Sequence, residues 1–386
     1  MKTLFELDSL KTNNFDVIRF VAATLVIFSH AYAASGHPGE EPLSGATGFI
    51  GFGNVAVEIF FFVSGYLITA SLMHRDNLLD FTESRVLRIF PALFICCAAS
   101  AFLLGPLVST LPLGEYLTHR QTWVYFLQNS SLVNMQWFLP GVFEANALKG
   151  VVNGSLWTLP TEIMMYGVLL GLGIFSRPFN RYRSFASYRP ALLTTLIAAY
   201  LIYSFIKQTA QIADHTSADP THLITFFLIG AIFYLNRRYV PMSTTLALVL
   251  WVALILARGT PASTTLYYVA MSYSILAIAF DTSFKWPRFA KYGDFSYGLY
   301  LYGFPVKQAI MLVAGSMGSY ALFLIAFPIT LLLAWLSWRF VESPALARKG
   351  TISRYLKSLA SRASQGFGER QTSHQSAQHG AHQNTR

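Results

Sequence analysis

Asp16-Val17-Ile18-Arg19-Phe20-Val21-Ala22-Ala23-Thr24-Leu25-Val26-Ile27-Phe28-Ser29-His30-Ala31-Tyr32-Ala33-Ala34-Ser35 is about as long as one bilayer crossing, which needs roughly 20 mostly apolar residues. Beyond Asp16 at its edge, it carries Arg19 and His30. Eleven positions at about 100° each come within about 20° of whole turns, so both lie on one helix face, roughly 16 Å apart along the axis. Ionisable groups inside a membrane are costly and mark function by default. The bland alternatives are an Arg19 that snorkels to lipid headgroups and a His30 that makes a polar contact between helices.

The rest of the chain repeats the pattern. Of 386 residues, 54% are hydrophobic and only 12% charged. That is about half the usual charged share of a soluble domain. Such a composition excludes intrinsic disorder, a disulfide scaffold and an ordinary cytosolic enzyme. It predicts an all-α, polytopic membrane protein with about ten transmembrane helices. The apolar runs lie at roughly 16–35, 50–73, 88–108, 155–175, 190–207, 221–236, 240–257, 262–280, 295–314 and 319–340. Cys96 and Cys97 are adjacent in an apolar run and read as core packing. No cleavable signal peptide is expected, because Met1 to Asn14 is polar.

Lys and Arg then sort by loop. One set is Lys2 and Lys11; Arg75 and Arg85; Arg177, Arg181, Arg183 and Arg189; Arg237 and Arg238; Lys285, Arg288 and Lys291; and Arg348, Lys349, Arg354 and Lys357. The alternate loops hold few: Arg120 and Lys149, Lys207, and Arg258. This is the positive-inside pattern, and it predicts both termini in the cytoplasm. The formal net charge of +10 is therefore topological, and nucleic acid is not an expected partner. The long external loop, 109–154, carries Trp123 and Trp137 and has the length of a functional or partly structured segment. Residues 1–345 read as one transmembrane domain and 346–386 as a basic tail expected to be disordered, in which His374, His379 and His382 show no ligand spacing. The sequence carries no signal for an oligomeric state.

Other buried charges fall at matched depths. Glu58 and Glu162 each come about eight residues into a span entered from outside, near the depth of His30. A His beside a carboxylate has an oriented ring and raised basicity, which suits a general base taking a proton from a hydroxyl; a buried structural network is the alternative. Arg85 and Arg88, three apart, share a face at the cytoplasmic end of span three. Two guanidiniums there suit a phosphate ligand, or positive-inside anchoring. Lys307, mid-span in the ninth run, can line a cavity, pair with a carboxylate or snorkel. No metal site is indicated, because the possible ligands are few and lie on separate spans.

These residues resemble the polytopic acyltransferase-3 family. Asn14-Phe15-Asp16…Arg19…His30 looks like its opening, in which ten residues separate an Arg from a His. Gly53-Asn54-Val55-Ala56-Val57-Glu58-Ile59-Phe60-Phe61-Phe62-Val63-Ser64-Gly65-Tyr66-Leu67 resembles its second-span signature, and Phe81…Arg85-Val86-Leu87-Arg88-Ile89-Phe90-Pro91 its Arg-x-x-Arg motif. Asn153-Gly154-Ser155-Leu156-Trp157-Thr158-Leu159-Pro160-Thr161-Glu162 is similar to its fourth-span element. Ser296-Tyr297-Gly298-Leu299-Tyr300-Leu301 and Phe340-Val341-Glu342-Ser343-Pro344 are similar to its closing motifs. One position departs: Gly303 stands where family members often carry His.

The resemblance implies transfer of an acyl group, usually acetyl, from cytosolic acyl-CoA (acetyl-CoA) to a hydroxyl of a surface or exported carbohydrate, in a bacterial inner (plasma) membrane. It implies roles for His30, Arg19, Arg85 and Arg88. The expected arrangement has His30 as base, oriented by Glu162 or Glu58, with the donor's phosphates on Arg85 and Arg88 and its arm passing Arg19. Ser64 and Ser155 are open as acyl carriers or as packing and capping residues. The rival expectation is a transporter or flippase for a lipid-linked glycan.

Overall fold

The computed structural model describes residues 1–10, 12–47, 50–74, 78–176, 188–210, 220–281, 283, 286, 289–351, 354 and 355, with the side chains of 206–210 and 290 left out. Lys11, Arg75, Arg177, Arg181, Arg183, Lys285, Arg288, Lys357, the Lys207 side chain and most of the tail lie outside the described residues.

The described chain is helical. Its β pairing, among the described residues, is confined to the isolated bridges Thr3↔Pro241 and Phe138↔Val151. A short α1 (Leu4–Ser9), closed by a Thr3/Glu6 capping box, precedes α2 (Phe15–Ala34) and α3 (Phe52–His74). α4 (Leu78–Ala99) continues through a π-helical turn, Ser100–Leu104, to Val108. α5 (Arg120–Ser131) belongs to the long loop, and α6 (Leu159–Phe175) follows a 3₁₀ turn, Leu156–Thr158. Then come α7 (Arg189–Ala210), α8 (Thr221–Leu235), α9 (Thr244–Leu256) and α10 (Ala262–Ala279). The last pair is α11 (Ser296–Ala314) and α12 (Ser319–Ser337), the latter extended by a second π-helical turn, Trp338–Glu342.

All ten apolar runs fall on helices, but not all are of spanning length. Among the described residues, six helices are long and apolar enough to cross a membrane: α2, α3, α4 with its extension, α6 with its 3₁₀ turn, α10, and α12 with its extension. Arg189–Phe205 of α7, with α8 and α9, are shorter apolar helices. At 1.5 Å per residue α8 and α9 reach about 20–22 Å, short of a hydrocarbon core of about 30 Å. α11 has spanning length but carries buried polar residues, Lys307 and Gln308 among them.

α2, α3 and α11 form the centre. α3 meets α8 backbone to backbone: a Cβ at Gly65 would stand 1.9 Å from the Phe227 carbonyl oxygen, and one at Gly230 would stand 2.3 Å from that of Phe62. Small residues at helix crossings are how membrane helices gain packing where lipid removes the hydrophobic drive. Cys96 and Cys97 are free and buried in the core. At one end of the bundle α1 docks on the α8–α9 turn through Leu4 N–H to Val240 O (2.8 Å) and Met242 N–H to Lys2 O (3.0 Å). There the Arg237 guanidinium stacks 4.0 Å from the Tyr234 ring and Arg238 lies 5.0 Å from that of Phe5.

The 109–154 segment is packed, not loose. Tyr116 and Tyr125 are buried, and Tyr116 Oη donates to Ala101 O at 2.8 Å. Asn146 donates to Gln308 O (2.8 Å), and Gln308 donates to Leu148 O (2.8 Å) and Val151 O (2.6 Å). Asn153 donates to Leu301 O at 2.9 Å. These bonds fasten the segment to α11 and satisfy backbone groups that have no helix of their own.

Candidate active site

α2, α3, α4, α6 and α11 enclose a cavity of about 120 Å³ whose walls include Arg19, Arg85, Arg88, Glu162, Tyr166 and Tyr297. The three arginines singled out in the sequence therefore converge on one space. Arg85 and Arg88 project from one face of α4, as their spacing requires. Glu162 lies in the first turn of α6, where helix N-termini favour a carboxylate.

Arg88 and Arg19 meet carboxylates. Arg88 Nη2 meets Asp294 Oδ2 at 2.5 Å, and its Nη1 meets Glu342 Oε2 at 3.2 Å. Arg19 Nη1 meets the same Asp294 oxygen at 3.1 Å, and its Nη2 pairs with Asp16. The Nε of Arg19 is buried with no partner among the described residues. Arg85 Nε donates to Ser84 Oγ at 3.2 Å. The Arg88 guanidinium also lies 5.7 Å from the Tyr297 ring centroid and 5.9 Å from that of Trp338. Asp294 sits in the turn before α11. Burial opposes its charge, but Arg88 and Arg19 outweigh it and hold the carboxyl down to about 2, helped by donation from Ser296.

Sequence reasoning missed Asp294 and gave no role to Asp16 and Glu342, although the latter two stand inside quoted motifs. Asp294 comes two residues before the Ser296-Tyr297 motif, which was the one available signal. Glu342 is delivered by the π-helical turn that ends α12, and such turns recur at functional positions.

The two intramembrane carboxylates make other hydrogen bonds than one to the imidazole. Glu162 Oε1 accepts from Ser64 Oγ at 3.1 Å and from the Tyr166 hydroxyl. Glu58 Oε2 accepts from Tyr267 Oη at 2.5 Å. The depth estimate counted residues from the outer edge as continuous helix. Here α6 begins only at Leu159, so Glu162 stands on the arginine cavity.

His30 occupies a separate seat. Its Nδ1 is 3.5 Å from Ser155 Oγ, and its ring meets Phe304 edge-on with centroids 5.4 Å apart. Gly154 makes room for Phe304, since a Cβ there would stand 2.7 Å from that ring. Ser155 precedes Glu162 by seven residues, across the 3₁₀ turn and into the first turn of α6. The two places are joined by hydrogen bonds. Tyr300, on the cavity wall, bonds Thr158 Oγ1 at 2.6 Å and donates to the Ser155 carbonyl. Among the described residues no group of three or more His, Cys, Asp and Glu gathers as metal ligands would.

Comparison with known proteins places this architecture in a class. Residues 12–339 match a family model described as an acyltransferase domain (Acyl_transf_3). The chain belongs to this acyltransferase family; it is an acyltransferase and an integral membrane protein. It is 31% identical to an O-acetyl transferase of Shigella phage Sf6, over 88% of this chain and 97% of that one. It is 29% identical to nodulation protein 10 of Rhizobium leguminosarum bv. viciae, over 89% and 96%. It is 26% identical to the O-acetyltransferase OatA of Staphylococcus aureus (strain NCTC 8325 / PS 47), over 81% of this chain but 55% of OatA. No solved structure matches the chain.

Proposed function

We propose that this acyltransferase moves an acetyl group from cytosolic acetyl-CoA to a hydroxyl of a cell-surface or exported carbohydrate, with His30 as general base. The observation that carries the reading is the link between the two places. The cavity with three arginines has Thr158 and Tyr300 in its wall; these two bond each other, and Tyr300 donates to the carbonyl of Ser155, the residue that lies against His30. A phosphate-bearing donor and a base are thus connected by one short path. Relatives named as O-acetyltransferases support the choice of acetyl and of an oxygen acceptor. The loop asymmetry of Lys and Arg supports a cytoplasmic position for both termini and for the arginine end. Relatives from bacteria and a bacterial phage support a bacterial inner (plasma) membrane.

The cavity, at about 120 Å³, is smaller than the 300–1,000 Å³ of a usual ligand pocket. It suits the slender arm of the donor, with the phosphates at its mouth beside Arg85 and Arg88. The unpartnered Arg19 Nε–H offers a donor along the way. Beyond it Tyr300 and Thr158 part to admit the thioester to His30. The imidazole takes the hydroxyl proton as the acceptor oxygen bonds to the carbonyl carbon. The C–S bond then breaks, and the departing thiolate takes a proton back from the imidazolium. Ser155 orients the ring. Glu162, with Ser64 and Tyr166, shapes the donor cavity, whereas Glu58 accepts from Tyr267 outside it.

The test uses detergent-purified full chain, radiolabelled acetyl-CoA and a panel of purified bacterial lipopolysaccharide O-chain, exopolysaccharide and peptidoglycan. Label moves to glycan with the wild type and not with His30→Ala. Full transfer by His30→Ala refutes the base. Passage of a lipid-linked glycan across a liposome without acetyl-CoA favours the transporter reading instead.

A further inference from the structure

We propose that Lys307 is a positioning residue for His30, tethering α11 to the turn of α2 that carries the imidazole. The inference rests on the reading of His30 as the base. Lys307 is 1% exposed, and its Nζ donates to the Ile27 carbonyl at 3.1 Å. That carbonyl lies in the turn of α2 that ends on His30 and Ala31, so the bond acts on the backbone that aims the ring.

Gly303 makes the reach possible. It lies one turn before Lys307 on the same face of α11, and a Cβ there would stand 2.8 Å from Ile27 Cγ1. Helical side chains lean toward the N-terminus, so the lysine stem runs back over the ground that Gly303 leaves open. Phe304, the next residue, completes the seat. Its ring lies 6.0 Å from Lys307 Nζ and 5.4 Å from the His30 ring.

The roles open to Lys307 in the sequence are not those it takes. It does not line the arginine cavity, and it makes no ion pair among the described residues. It is sealed from lipid headgroups and water. An amine with up to three N–H donors and one acceptor is expensive in an apolar interior. Methionine would fill a similar volume without that cost. A polar group placed at such expense marks function by default, and its one bond among the described residues goes to the helix that carries the base.

The experiment compares the full-length wild type, Lys307→Met and Lys307→Gln in detergent. It reads thiol release from acetyl-CoA with the glycan panel as acceptor, alongside Tm. Lys307→Met is expected to lower kcat about 10- to 100-fold, the order that loss of positioning costs. KM for acetyl-CoA stays within about twofold and Tm is unchanged or higher. Lys307→Gln, which keeps an N–H donor, recovers part of the rate. The proposal is overturned if Lys307→Met keeps kcat within about twofold, if kcat and Tm fall together, or if Lys307→Gln is as slow as Lys307→Met. His30→Gln separates this from the underlying reading. An inactive His30→Gln beside a normal Lys307→Met sinks only the tether, whereas a fully active His30→Gln sinks the base.

Discussion

In the arginine cavity Arg19 and Arg88 both meet carboxylates, and one of these, Asp294, serves both. Eleven residues along the same helix, His30 meets a hydroxyl and an aromatic edge, and the intramembrane carboxylates bond elsewhere. The difference teaches what each place is built for. A compensated network holds its guanidiniums rigid and suits binding an anion without collapse of the empty site. A sparsely bonded imidazole keeps a nitrogen available for a proton, and its geometry must come from packing.

Predictions follow that contrast. The largest effect belongs to the seat: His30→Ala lowers transfer by about 10²- to 10⁴-fold, the usual worth of a general base, while calorimetric binding of acetyl-CoA persists. Loss of binding together with transfer would erase the distinction between the two places. Next, Arg88→Ala leaves Glu342 facing no guanidinium and Asp294 facing only that of Arg19, and costs about 3–5 kcal/mol of stability, read as a fall in Tm in detergent. Arg85→Ala, by contrast, is expected to raise KM for acetyl-CoA about tenfold, with a smaller fall in Tm than Arg88→Ala. Equal Tm losses would make both arginines framework.

A pH series sharpens the cavity side. The Asp294 carboxyl is held down at about 2, below its usual value of 3.8. The stability it adds is therefore complete above about pH 4 and is lost as pH falls through about 2. The Tm advantage of wild type over Asp294→Asn should shrink across that window and stay flat above it. An advantage that persists undiminished at pH 2 would mean the ion pairs are not its source. The smallest effect returns to the seat. Ser155→Ala removes one neutral contact at 3.5 Å and should slow transfer by only about two- to fivefold, with Tm within a degree or two.

Part of the site was legible because helical spacing is local. Arg85 and Arg88 share a face by their three-residue interval, and Arg19 and His30 share one by eleven. The partners were not legible, because Asp294 lies 206 positions from Arg88 and Glu342 lies 254. The partners of Glu162 were not legible for a related reason. Residues 132–155 enter the bundle without a helix, fastened to α11 by Asn146, Asn153 and Gln308. Counting residues at 1.5 Å from an assumed edge fails where the chain is not helical.

The amino-acid order by itself determined that the chain is helical and lives in lipid, and it marked the few ionisable groups that lipid would not hold without purpose. Both follow from composition and periodicity, which act within a turn or a span. Which carboxylate meets which guanidinium, that Lys307 reaches across Gly303 to α2, and that His30 and Glu162 stand in different places were decided only by helices packing against one another. Those contacts join residues far apart in the chain, and their distances are fixed by how closely backbones can approach.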